Sequence, residues 1–408
     1  MGLYTVAGVL FILSFSFPII MAIGGRLIGL HHSSIHTALA MFLPLFVLMP
    51  LIVGSIILQK QKRTIYLIIL ILCGITICWF ANYFWETSYL QTSEFDKKRI
   101  WFFIHGFLFP AVIGAIASRK YIGFIEKFVL GLVIVTGFTS LLYVMSYDFN
   151  LNFIRLLGEM GLVAGIKASL GASACLSMLI LQQNNKNTSS MLVSLGMVFV
   201  ILLHCFAIII SGTRAAIFIF AASFMLFFTM SNRKKAIIFF LFIVIVIALF
   251  LSDFINYLVP QATINRLGMF YDQGIEIRVR LLRAITQIIL ENPLGKVTGY
   301  ENSILGMPYS HNAIIQLIAE AGIPSIPALV SLFIIGLKNA LAFRKVAHIR
   351  ALIILSANVF MHSLSSGGAY NSLLWFLLFF FASLECKRNS LYSQEFGRIE
   401  YESRERYY

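Results

Sequence analysis

The chain has 408 residues, 59% of them hydrophobic and 12% charged, with mean hydropathy +0.89 and formal net charge +14. A soluble domain carries about 25% charged residues, so the composition excludes a water-soluble globular protein and describes a polytopic membrane protein. The positive charge falls in short clusters between apolar spans, the pattern of the positive-inside rule, which argues against nucleic acid as a partner.

Apolar runs near the length needed to cross a bilayer core of about 30 Å predict twelve spans. They are 4–25, 37–59, 65–85, 100–118, 124–146, 160–182, 190–211, 214–230, 236–252, 323–341, 350–364 and 370–386. The first run lacks a charged leader and a small-residue cleavage site, so it reads as a membrane helix. His31, His32 and His36 follow it without a neighbouring acid, which favours a solvated loop over a metal site. Cys73, Cys78, Cys175, Cys205 and Cys386 form no CxxC pair, so neither a disulfide framework nor a thiolate metal site is expected.

Basic clusters at Lys60–Arg63, Arg119-Lys120, Lys186, Arg233–Lys235, Arg344–Arg350 and Lys387-Arg388 occupy alternate loops, hence one face, the cytoplasmic one. Asp96-Lys97-Lys98-Arg99 is basic yet falls on the opposite face. The predicted organisation is 1–252 with nine membrane helices, a large outer loop over 253–322, three more helices over 323–386, and a cytoplasmic tail over 387–408. Within the loop, Arg278 to Leu290 (RVRLLRAITQIIL) has helical apolar spacing with Glu291-Asn292-Pro293 as its stop. A second helical pattern runs from His311 to Ala321 and ends at Gly322.

Three separated pieces carry a resemblance. The first is Ser211-Gly212-Thr213-Arg214-Ala215-Ala216, at the turn between two spans. The second is Arg278 with Leu282-Arg283-Ala284 and then Asn292-Pro293-Leu294-Gly295. The third is His311-Asn312 with Gln316-Leu317, Glu320 and Gly322-Ile323. Their order, spacing and common predicted face resemble the O-antigen polymerase and O-antigen ligase superfamily of bacterial envelope enzymes. Two departures stand out: Leu282 where members have Trp, and Lys296-Val297-Thr298-Gly299 where members often have Gly-x-Gly.

The resemblance implies an all-α, type C glycosyltransferase-like architecture with a helical periplasmic loop, in the bacterial inner membrane. It implies transfer from an undecaprenyl diphosphate-linked glycan, with no cofactor; attack opposite the leaving group predicts inversion, and the lack of an Asp-x-Asp pair in the loop, where two arginines can do the work of a metal ion, predicts metal independence. Membrane lipid, a chain-length regulator and a flippase are the further partners it implies. His311 is the catalytic candidate: a sugar hydroxyl is a poor nucleophile until a base takes its proton, and imidazole suits that task. An isolated His is as readily a structural hydrogen-bonding residue; the His-Asn context favours function. Arg214 and Arg278 are the diphosphate candidates, because guanidinium offers fixed bidentate donors. A snorkelling side chain is the plainer reading of Arg214. Arg280, Arg155, Lys167, Asn312 and Glu320 are further candidates for the same site. Lys167 lies inside a span, where a charge is costly and usually functional or paired. His105, His204 and His362 read as bonded core residues. The ending Met361–Gly367 followed by Trp375-Phe376 looks more like a polymerase than a ligase. A flippase or other transporter would place more polar residues at mid-membrane depth, so it ranks third.

Overall fold

The computed structural model describes residues 63–89, 94–118, 121–145, 158–182, 188–211, 213–231, 274–298, 312–365 and 371–384. The expected spans 4–25, 37–59 and 236–252 lie outside them, as do the His31–His36 cluster, Arg155, His311 and the tail. Among the described residues all regular structure is helical: α1 (Arg63–Tyr89), α2 (Glu94–Phe103), α3 (Phe109–Ala117), α4 (Tyr121–Met145), α5 (Gly158–Gln182) and α6 (Thr188–Ser211). Then follow α7 (Arg214–Met230), α8 (Gly274–Glu291), α9 (Ala313–Ala321), α10 (Ile326–Ala342), α11 (Ala347–Ser365) and α12 (Ser372–Ala382).

Among the described residues, seven stretches are long and apolar enough to cross a membrane: Ile68–Thr87, Arg99–Ala117, Phe124–Met145, Gly165–Gln182, Val193–Ser211, Ile323–Ala342 and Ala347–Leu364. Each falls on a span expected from the sequence. The second is built from α2 and α3 joined by a π-turn at Ile104–Leu108. Pro110 explains that turn. Its ring has no N–H to donate and crowds the carbonyl four residues earlier, so the ladder slips locally to wider spacing.

The twelfth expected span, 370–386, differs. Its helix α12 is only 11 residues, about 16 Å at 1.5 Å per residue, against a hydrocarbon core of about 30 Å. Asn371 caps its start through Leu374 N at 3.4 Å. Asn339 of α10 closes its end, donating from Nδ2 to Phe381 O at 2.9 Å, Ala382 O at 3.2 Å and Leu384 O at 3.1 Å. Leu373–Leu377 and Phe379–Ala382 are buried, so α12 is a core helix enclosed by its neighbours. A run that is apolar on every side reads the same in sequence whether lipid or protein surrounds it.

Helices α5, α7 and α11 form the part of the bundle that organises the candidate site. α5 presents Ser169, Gly171, Ala172, Ser173, Ala174 and Ser177, small residues that let backbones approach closely. Asn358 Nδ2 donates to Ser169 O at 3.0 Å and Ser173 Oγ at 2.9 Å, and Ser177 Oγ donates to Ala351 O at 2.8 Å. The rising numbers on α5 pair with falling numbers on α11, so the two run antiparallel. Arg350 Nη1 donates to Met230 O at 2.9 Å, which makes α7 antiparallel to α11 as well.

Candidate functional site

That register decides where the motif residues meet. Since the end of α7 pairs with the start of α11, Arg214, the first residue of α7, stands at the Ser365 end of α11. α9 begins at the same end: Asn312 Nδ2 lies 3.5 Å from Leu364 O. Asn312 is also the N-cap of α9, its Oδ1 accepting from Ile314 N at 3.2 Å and Ile315 N at 3.1 Å. α5 reaches this level through Gly165, where an added Cβ would overlap Ser211 Oγ and Thr213. Lys167 follows two residues later and interacts electrostatically with His362 of α11. His362 Nδ1 lies 3.5 Å from Asn371 Nδ2, which donates to Ser363 Oγ at 2.6 Å. His362, read from sequence as a bonded core residue, is bonded to Asn371, with Lys167 near enough to act on it electrostatically.

The two halves of the long loop are joined by a backbone clasp. α8 is amphipathic, with Leu281, Ile285 and Ile288 buried against Ala319 and Ile315 of α9. Arg278 belongs to α8, while Arg280 and Arg283 are exposed on it. Beyond Glu291 the chain turns, Gly295 N donating to Asn292 O at 2.9 Å. Lys296 N then donates to Ala319 O at 2.8 Å, and Ile323 N to Pro293 O at 2.8 Å. Pro293–Lys296 and Ala319–Ile323 thus bind each other directly. Glycine is required at the crossing. Gly295 has φ 111° and Gly322 φ 81°, and a Cβ on either would overlap the other strand's backbone.

The clasp hangs on α1, by residues the sequence reading passed over. Asn82 Nδ2 donates to Leu294 O at 2.6 Å and Glu320 O at 3.0 Å, holding both strands. Glu86 accepts from Val297 N at 2.8 Å, from Thr298 N at 2.6 Å and from Thr298 Oγ1. Glu320 is fully buried. Its Oε1 accepts from Arg99 Nη1 at 3.0 Å and Gln316 Nε2 at 2.9 Å, and its Oε2 from Trp79 Nε1 at 2.8 Å. Trp79 stacks on Phe103 and Tyr83, so this donor to Glu320 is itself held by ring contacts. Arg99 is 1% exposed, so it is no loop charge; the basic cluster that ran against the topology loses one member to a buried pair. The available signal was a set of lone polar residues, Asn82, Glu86 and Arg99, near the ends of apolar runs, where they are expensive and have partners. Among the described residues no three His, Cys, Asp or Glu side chains gather as a metal site would need.

Residues 197–330 match the family model described as O-Antigen ligase. Over those residues the chain is similar to the O-antigen polymerase and ligase superfamily. The match covers about a third of the chain, from α6 into α10, and contains all three motif pieces. No curated protein matches the chain. The superfamily's matched segment holds both strands of the clasp, whereas Trp79, Asn82, Glu86 and Arg99, which suspend it, lie outside that segment.

Proposed function

We propose that this protein is an O-antigen polymerase, an inverting glycosyltransferase that joins undecaprenyl diphosphate-linked repeat units at the periplasmic face of the inner membrane. The observation that carries the reading is the convergence of Arg214 and Asn312 at one end of α11, with the strand following α8 clasped to the strand following α9. His311, next to the Asn312 cap, takes the proton of the acceptor hydroxyl. The hydroxyl oxygen bonds to the anomeric carbon as the bond from that carbon to the diphosphate breaks. Arg214 and Arg278 hold the diphosphate and stabilise its developing charge. Arg214 is aided by its place in the first turn of a helix, where free N–H groups favour anions. Lys167, Arg280 and Arg155 are further cations for the same anion. Asn312 and Glu320 serve by orientation, through the contacts described above. The domain organisation is proposed as the sequence gives it, with 253–322 on the periplasmic side.

A ligase that moves the glycan onto lipid A-core is the second reading, favoured by the description of the matching family model. The lipopolysaccharide ladder of a deletion strain separates them. A single repeat on the core means polymerase; bare core with lipid-linked polymer accumulating means ligase. A core carrying normal polymer removes both.

The transfer is proposed to need no metal, with arginines doing the work of a divalent cation. Purified protein given lipid-linked substrate is expected to keep its full rate in excess EDTA. Loss on chelation, restored by a divalent cation, overturns this and turns attention to Asp272 and Glu276.

A further inference from the structure

We propose that Glu86 is a positioning residue for glycan transfer, setting the place of α8 and α9 through Val297 and Thr298; the proposal rests on the function given above. Val297 and Thr298 lie beyond the last backbone bond of the clasp, in no helix or strand. Their N–H groups are buried and have no ladder to join, so a partner must be supplied. Glu86 supplies it. One oxygen takes Val297 N at 2.8 Å; the other takes Thr298 N at 2.6 Å and the Thr298 hydroxyl. Glu86 is 9% exposed, and Val297 and Thr298 are 0% and 2% exposed. No secondary structure enforces this corner; among the described residues the Glu86 side chain is the partner that holds it. Trp79, Asn82 and Glu86 recur at helical spacing on α1, with Asn82 and Glu86 four apart, so the corner is held by the same face that holds Glu320. The corner also coincides with one departure from the family pattern, Lys296–Gly299.

The chemistry of the acceptor gives a discriminating series. Gln keeps the length of Glu but points an N–H₂ at one of the donors Val297 N or Thr298 N, whichever way the amide turns. Asp is shorter yet keeps two acceptor oxygens. An acceptor role therefore ranks Asp above Gln, and a space-filling role ranks Gln above Asp. The experiment uses the full chain in nanodiscs with lipid-linked repeat unit as substrate, and reads kcat, KM and hydrogen exchange. For Glu86→Gln we expect faster exchange in peptides covering 296–298, unchanged exchange in α12, and kcat lower by up to roughly 10²-fold from a misplaced site. KM for the donor is expected to hold within about twofold, since the diphosphate ligands remain. Glu86→Asp is expected to recover part of kcat. Exchange at 296–298 equal to wild type overturns the anchor. Faster exchange with wild-type kcat overturns the positioning role, as does a Gln variant more active than the Asp one. Exchange needs no turnover, so an inactive wild-type protein would sink the proposed function and leave the anchor to be judged separately.

Discussion

His311→Ala is expected to leave the protein inserted and abundant while abolishing visible polymer. The expectation of normal folding comes from its neighbour. Asn312, not His311, caps α9, and the apolar face of α9 is held by Ala313, Leu317 and Ala319. A residue just before the cap contributes little to the helix when truncated, provided the cap remains. The effect on rate is of another size, since removing a general base costs roughly 10²–10⁴-fold, enough to erase a ladder. His311→Asn separates two roles. Asn offers hydrogen bonds but cannot accept a proton at neutral pH, so a His that deprotonates the acceptor is not rescued by it. Recovery with Asn would make His311 an orienting group. Normal polymer from the Ala variant at normal abundance would remove His311 from the reaction.

Some of the site was legible in sequence because its signals are local. The run from His311 to Ala321 with Gly322 as stop became α9, Ala313–Ala321, with Asn312 as cap and Gly322 in the left-handed region. The run from Arg278 to Leu290 became the latter part of α8, which begins one turn earlier at Gly274. The clasp was not legible, because its bonds link residues far apart in the chain. Trp79 and Glu320 are 241 positions apart, and Glu86 and Thr298 are 212 apart. No periodicity records such a pairing. Arg99 misled for a related reason. A Lys-Lys-Arg run is read as one exposed cluster, although the last of the three begins a span and turns into the bundle. α12 is shorter than the apolar run that announced it, and hydrophobicity does not say which side of such a helix meets lipid.

Arg99→Leu is expected to be the most damaging single change outside the catalytic candidates. It strands the Glu320 carboxylate, 0% exposed, with the Arg99 guanidinium gone from beside the Trp79 and Gln316 donors. Breaking a buried pair by removing one partner costs roughly 3–5 kcal/mol, because the remaining charge is paid for in desolvation. The loss is expected as a lower melting temperature in nanodiscs and a smaller folded fraction on extraction. Removing both charges reverses the sign of the argument. In Arg99→Leu/Glu320→Leu the charges are absent, and replacing a buried pair by apolar side chains of similar volume is often neutral or stabilising. Asn82 still holds both clasp strands in that variant through the Leu294 and residue-320 carbonyls, and Glu86 still holds Val297 and Thr298. The double variant is therefore expected to melt well above the single one. A single variant as stable as wild type would mean the pair is not buried as described. A double variant no better than the single would mean that shape, rather than charge, makes Arg99 indispensable. If the double variant is stable and still builds polymer, Glu320 acts by holding the clasp and takes no part in the transfer itself.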